Sequence, residues 1–284
     1  MTVSQIYAAA LARLRETGWD AHEARGTARI LADEAAGARF AHLSQPERII
    51  DGETLALWHK NIEKVARGVP LPYVLGRREF FGLAFICDER ALIPRPETEM
   101  LVETALEKLQ NIAAPRIADL GTGSGCIAVA LAHALPQAQV CATDLSLNAL
   151  DLARANAEKH AVAGRITFSI GIAGDWAAPL SGQRFNAILS NPPYIARADI
   201  ENLQTQVRDF EPRGALDGGD DGLDCYRQLA AQCGEILAPG GVFLAELGAG
   251  QFNDVRSIFE KSDWHIEAPL FDFQGIARVL QAGR

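Results

Sequence analysis

Apolar residues recur at four-residue spacing from the start of the chain, where Ile6, Ala10 and Leu14 share one stripe. A period of about 3.6 residues predicts an amphipathic helix. The same texture continues to residue 70: rich in Ala, Leu and Arg, poor in β-branched runs, and punctuated by Gly18, Gly37 and Asp51-Gly52. It predicts a helical N-terminal domain, 1–70, built from several short helices. The pattern then changes over 71–98. Pro70 and Pro72 lead into a segment whose aromatic and β-branched residues gather around Gly76 and Gly82, which predicts a short β-hairpin linker. Ile93-Pro94-Arg95-Pro96-Glu97 holds too much proline for a helix interior and predicts an extended connector.

From 99 to 284 helical and strand periods alternate. Helix 98–109 precedes strand 116–120, helix 124–134, strand 139–143, helix 146–159, strand 166–170 and strand 185–190. Helix 222–237, strand 241–246, helix 251–260 and two further C-terminal strands complete the series. Alternation of this kind implies crossover connections and an α/β domain with a mixed, mainly parallel sheet. The stretch 195–221 shows no regular pattern, and structureless loops of that length in compact domains are often functional.

Composition narrows the class. The chain has 284 residues, 48% of them hydrophobic and 22% charged, as in a folded globular protein. No apolar run approaches the roughly 18–20 residues that cross a bilayer, and the N-terminus lacks the basic-then-apolar order of a secretion signal. Five cysteines without a C-x-x-C pair, and six scattered histidines, argue against a disulfide framework and a zinc site. The expectation is a cytoplasmic protein with no bound metal. Residues 1–80 carry 11 Lys/Arg against 10 Asp/Glu, whereas 81–284 carry 16 against 26, a net −10. A duplex-DNA enzyme usually presents a basic surface, and the larger domain has the opposite balance.

The first chemical signal is Gly121-Thr122-Gly123-Ser124-Gly125, after a strand and before a helix. Glycines there let the backbone turn sharply and let a ligand approach closely. A dinucleotide fingerprint would place its third glycine at 126, which is Cys126. The spacing therefore suits a nucleoside cofactor with no pyrophosphate to seat. Asp144 ends the next strand, 23 residues after Gly121, where a carboxylate can accept from both ribose hydroxyls. A solvated helix cap is its alternative. Asp175-Trp176 follows the third strand, where an aromatic face can stack on a purine; a core tryptophan fits the same residues equally well.

The second signal is Ser190-Asn191-Pro192-Pro193-Tyr194, after the fourth strand, at the carboxyl edge where open α/β sheets bind ligands. Two prolines have fixed φ and donate nothing, so they make a stiff platform of carbonyl acceptors. A target NH₂ group can donate one hydrogen to the Asn191 side-chain carbonyl and the other to the Pro192 carbonyl. The nitrogen of an amide or a nucleobase amine is conjugated and its lone pair is withdrawn. Holding both hydrogens out of plane favours a pyramidal nitrogen able to attack, so catalysis would be geometry and electrostatics. Asn191 and Pro192 are the candidate catalytic residues, and Pro193 and Tyr194 join them in holding the substrate.

In this order, A-D-L-G-T-G-S-G, Asp144, Asp175-Trp176 and S-N-P-P-Y-I resemble the amino-methyltransferases of class I, Rossmann-like fold. Arg78-Glu79-Phe80-Phe81-Gly82, Leu92 to Glu99 and Arg208-Asp209-Phe210-Glu211-Pro212 narrow the resemblance to the release-factor glutamine N5-methyltransferases, over nearly the whole chain. The resemblance implies S-adenosylmethionine as cofactor, held by Gly121 to Gly125, Asp144, Trp176 and Asn191. It implies as substrate the Gly-Gly-Gln glutamine of class 1 peptide-chain release factors. The chain departs from the family pattern at Gly174, where a small polar residue is common, and in a slightly compressed tail after Gly275. A DNA or RNA adenine methyltransferase is the rival enzyme, and a non-catalytic cofactor-binding module the rival outside enzymes. Phe80, Phe81, Arg95 with Glu97, and Glu246 are open between pocket roles and ordinary packing, the latter favoured for Glu246.

Overall fold

The structure, a computed structural model, describes residues 1–284. The chain forms two compact units, Met1–Gly76 with Thr205–Phe210, and Arg77–Gln204 with Glu211–Arg284. In the first unit α1 (Val3–Glu16), α2 (Ala21–Ala36), α3 (Ala41–Ser44), α4 (Gly52–Ala66) and α5 (Leu71–Leu75) follow one another. Three of them, at 14, 16 and 15 residues, are longer than the short helices expected. Their starts are explained by side-chain caps. Thr2 and Gln5 form a reciprocal capping box on α1, while Asp20 and Asp51 accept from the first-turn N–H groups of α2 and α4. The predicted stripe Ile6, Ala10, Leu14 is fully buried, against Leu31 of α2 and Trp58 and Ile62 of α4 among others.

The second unit opens with the hairpin β1 (Arg77–Phe80) and β2 (Leu83–Ile86). Its two turn residues, Phe81 and Gly82, both have positive φ, 50° and 72°, the twist that a two-residue hairpin needs. Then come α6 (Glu99–Leu109), β3 (Arg116–Leu120), α7 (Cys126–Ala134), β4 (Gln139–Asp144), α8 (Leu147–Lys159), β5 (Ile166–Ile170) and β6 (Phe185–Ser190). After β6 follow α9 (Thr205–Arg208), α10 (Asp224–Gln232), β7 (Leu237–Glu246), α11 (Phe252–Glu260), β8 (His265–Ile266), β9 (Leu270–Phe271) and β10 (Ala277–Gly283). Three strands, not two, close the C-terminus.

The strands order as β5-β4-β3-β6-β7-β10-β8, with β9 also on β10. β3 to β7 are parallel, and β10 runs antiparallel to β7. Side chains alternate between two cores: Ile117, Ala187, Leu189 and Leu244 enter the layer with α6, α7 and α8. Ala118, Ile188, Phe243 and Ala245 enter the layer with α10 and α11. A sheet buried on both faces accounts for its near-continuous apolar strands. The chain winds from β3 outward to β5, then returns to place β6 beside β3. That reversal opens a crevice at the carboxyl ends of β3 and β6, and the site is built there.

The stretch 195–221 is more ordered than its sequence suggests. It holds 3₁₀ turns at Arg197–Asn202 and Arg213–Ala215, and Ile195 bridges Asp217. Between the turns, α9 belongs to the first unit, where the Gly68 α-carbon leaves room for Thr205 and Phe210.

Candidate active site

At the end of β3 the backbone makes three left-handed steps, at Gly121 (φ 74°), Gly123 (φ 55°) and Gly125 (φ 80°). Only glycine takes these without strain. The amides of Gly121 and Thr122 both donate to the Thr143 carbonyl, at 2.9 and 2.8 Å, which ties the loop to β4. One residue further along β4 stands Asp144. Its Oδ2 accepts from the Gly123 amide at 2.8 Å and its Oδ1 from the Ser146 amide at 2.9 Å. The α8 cap is Ser146, whose hydroxyl accepts from the Ala149 amide, and Asp144 lines the cavity. Burial raises the Asp144 pKa against the lowering effect of those amides. Each oxygen keeps a lone pair for a further donor.

The other loop residues divide the work. Thr122 turns its hydroxyl inward to Asp119 at 2.6 Å, and the Ser124 carbonyl accepts from Asn156. Gly121, Thr122, Gly123 and Ser124 all contribute to the cavity wall. Gly125 does not: it stands behind the wall, where a Cβ would come within 2.9 Å of the Ala153 Cβ on α8. Its small size serves helix packing.

Trp176 stands both in the cavity wall and against the core. Its ring edge lies 3.2 Å from where a Cβ on Gly121 would be, so the indole forms wall beside the loop. It also packs on the core that contains α10, donating Nε1–H to Gln228 and its amide to Gln232, both at 2.8 Å. Asp175 has one carboxylate oxygen engaged, capping the following turn through the Ala178 amide.

Strand register brings the second motif to the first. Leu120 pairs with Thr143 on one side and Ser190 on the other, and the Ser190 hydroxyl donates to the Leu120 carbonyl at 2.8 Å. Gly121, Asp144 and Asn191 thus leave three adjacent strands at one level. Asn191 and Pro193 line the same cavity, of about 410 Å³, as Gly121 and Asp144; Pro192 and Tyr194 lie outside its wall. Asn191 Nδ2 donates to the Thr98 hydroxyl at 3.1 Å, and that hydroxyl donates to Glu246 Oε2 at 2.6 Å. The Tyr194 hydroxyl reaches Glu246 Oε1 at 3.4 Å, and Tyr226 donates to the Glu246 carbonyl at 2.7 Å. Glu246 is only 2% exposed, and burial pushes its carboxyl up to about 7 despite the bonds from Thr98 and Tyr194.

Several residues left open by the sequence now have places. Phe80 is a core side chain, edge-on to Phe85, and Phe81 occupies the hairpin turn with its amide on Glu99; neither lines the cavity. Arg95 pairs with Glu211 at 2.5 Å and not with Glu97; Glu211 also accepts the Ile93 amide. Thr98 was missed. Its only sequence signal is its position after Pro96-Glu97, which says nothing of a partner 148 residues away.

Residues 97–209 match the family model described as methyltransferase small domain. The chain is 42% identical over 265 residues to a release factor glutamine methyltransferase of Geobacter sulfurreducens, covering 93% of this chain and 87% of that protein. It is 41% identical over 276 residues to the protein of the same name in Bradyrhizobium diazoefficiens, covering 95% and 91%. The chain belongs to the release factor glutamine methyltransferase family. It is a methyltransferase with S-adenosylmethionine as its cofactor. A methyltransferase from Pyrococcus furiosus, 16% identical, shares the Rossmann-like fold with a TM-score of 0.52 over 82% of this chain and 98% of that one.

The residues present in this family member fit that cofactor. The cavity has the volume of a small-molecule site. A nucleoside needs a wall without side chains, which Gly121 and Gly123 supply, and acceptors for its ribose, which the Asp144 oxygens supply while their other lone pairs are held by main-chain amides.

Proposed function

We propose that the chain methylates the side-chain nitrogen of the glutamine in the Gly-Gly-Gln motif of peptide-chain release factors, in the cytoplasm. The observation that carries this reading is Asn191, which lines the same cavity as Gly121 and Asp144 and has its amide nitrogen already committed to Thr98.

In this reading Asp144 holds the ribose and Gly121 to Ser124 form the floor beneath the nucleoside, with Trp176 at its edge and Gly125 supporting the loop from behind. When bound, S-adenosylmethionine supplies a methyl carbon attached to a good leaving group. Asn191 Oδ1 and the Pro192 carbonyl accept the two hydrogens of the substrate amide, which frees the nitrogen lone pair from conjugation and turns it towards the cavity. Pro193 stiffens that platform, and the Tyr194 ring packs on the flat amide. Neither carbonyl acceptor takes up a proton at neutral pH, so the proton released from nitrogen passes to water. The catalytic contribution is orientation in a fixed electrostatic frame.

A protein substrate suits the charge better than duplex DNA does, because residues 81–284 carry a net −10. No helix is long and apolar enough to cross a membrane, and no membrane partner is proposed. The test is to incubate the protein with radiolabelled cofactor and a release factor, in parallel with the same factor carrying Gln→Ala in its Gly-Gly-Gln motif. Label is expected in the first and absent from the second. Equal labelling of both, or labelling of DNA instead, would refute the proposal.

A further inference from the structure

The hydrogen bond at Asn191 has a direction, and the cause of that direction lies one hydrogen bond further on, at Glu246. An asparagine amide can face either way, and only one way leaves its carbonyl for the substrate. Asn191 Nδ2 lies 3.1 Å from Thr98 Oγ1, which lies 2.6 Å from Glu246 Oε2. A carboxylate only accepts. The single hydrogen of the Thr98 hydroxyl therefore goes to Glu246, and Thr98 has only lone pairs left for Asn191. Asn191 must present NH₂ to Thr98 and turn Oδ1 the other way. Thr98 and Glu246 are both buried, which strengthens the bond between them.

We propose that Thr98 and Glu246 are positioning residues, a two-step hydrogen-bond relay that fixes which end of the Asn191 amide faces the substrate. The proposal rests on the reading in which Asn191 Oδ1 grips the target NH₂ group. It gives a task to a buried acid that the chemistry does not otherwise use.

The relay is directional only while Glu246 is ionised. A protonated Glu246 can donate to Thr98, whose hydrogen can then go to Asn191 Oδ1 and reverse the amide. The surroundings of Glu246 set where this occurs. Burial raises its carboxyl to about 7, as does the charge of Glu97, while Thr98, Tyr194 and Arg278 oppose the rise. The remaining ionisable neighbours, Cys126 and Tyr226, are both held neutral by burial. Because the acid form prevails below the raised value, turnover falls as pH drops through about 7.

The experiment compares kcat for methyl transfer to a release factor, and cofactor affinity, in Thr98→Val, Thr98→Ser, Glu246→Gln and Asn191→Ala. Thr98→Val keeps the shape and removes the hydroxyl, and is expected to lower kcat by about 10- to 100-fold with cofactor Kd unchanged. Thr98→Ser restores the hydroxyl and should return kcat to within a factor of about three of the wild type. Glu246→Gln can run the relay in either direction, so its kcat is lowered and no longer varies with pH near 7. Wild-type kcat in Thr98→Val, a Thr98→Ser as impaired as Thr98→Val, or an unchanged pH profile in Glu246→Gln would each overturn the relay. Should Asn191→Ala keep its turnover, the underlying reading of Asn191 fails too; an inactive Asn191→Ala beside a fully active Thr98→Val removes the relay alone.

Discussion

The two ends of the cavity are built from different materials. At the nucleoside end the shape comes from main chain: three left-handed glycines, two amides on the Thr143 carbonyl, and a third amide on Asp144. The side chains there that matter are Asp144 and, at the edge, Trp176. At the Asn191 end the orientation comes from side chains on three separate segments, a part-buried bond from Asn191 to Thr98 and a buried one from Thr98 to Glu246. The first kind of construction leaves no room for added volume at Gly125, where a Cβ would come within 2.9 Å of Ala153. The second tolerates shape-conserving changes and is sensitive to where a proton resides. The difference teaches that one cavity can fail in two independent ways, through loss of cofactor or through loss of aim.

The largest effect expected at the main-chain end is on stability. Gly125→Val would force a left-handed φ of 80° on a β-branched residue and drive its Cβ to 2.9 Å from that of Ala153. Strain and overpacking together should cost about 2–5 kcal/mol, read as a lowered denaturation midpoint. A midpoint equal to wild type would show that the α7–α8 packing is looser than described.

Asp144→Ala sharpens the comparison next. It removes acceptors from the cavity without touching Asn191, so cofactor Kd should weaken by about 10- to 100-fold while kcat at saturating cofactor changes little. A kcat loss that saturation does not repair would mean that the ends are not separable.

The smallest effect concerns Asp119, which holds Thr122 and the Ala128 amide through Oδ2 while its Oδ1 has no partner. Burial pushes this carboxyl up to about 7 from an ordinary value of 3.8. A folded-state pKa above the unfolded one means that the folded protein holds its proton more tightly, so this group's contribution falls as pH rises from about 4 to about 7. The exposed Asp221, lowered to about 2 by Arg227, acts in the opposite sense but below that window. In cofactor-free protein, Asp119→Asn should therefore gain on the wild type as pH rises from about 5 to about 7.5, measured by urea unfolding. Parallel curves would contradict the assignment.

The same contrast explains what was legible in the sequence. The glycine loop, Asp144 and Asn191-Pro192-Pro193-Tyr194 are local motifs at strand ends, and the strands around them read clearly because both faces are buried. Helix Leu71–Leu75 falls inside the segment whose aromatic and β-branched residues predict a hairpin linker. Pro70 and Pro72 fall at its cap and first turn, where the missing N–H is not needed, and Gly76 closes it in the left-handed conformation. The sequence pattern predicts this strand only from 241; β7 begins at Leu237 through an irregular register against β6. Arg95 with Glu211, and Thr98 with Glu246, are pairings 116 and 148 residues apart, and no periodicity announces them. Nor does local pattern show that Thr205–Phe210 leaves its neighbours to join the helical unit.

The most direct test of the account is to measure Asn191→Ala for both properties in one preparation, cofactor Kd by calorimetry and single-turnover methyl transfer at saturating cofactor. The account predicts cofactor affinity within a factor of about three of the wild type and transfer lowered by about 1000-fold or more. Transfer at the wild-type rate, or a collapse of cofactor affinity with transfer preserved at saturation, would contradict it.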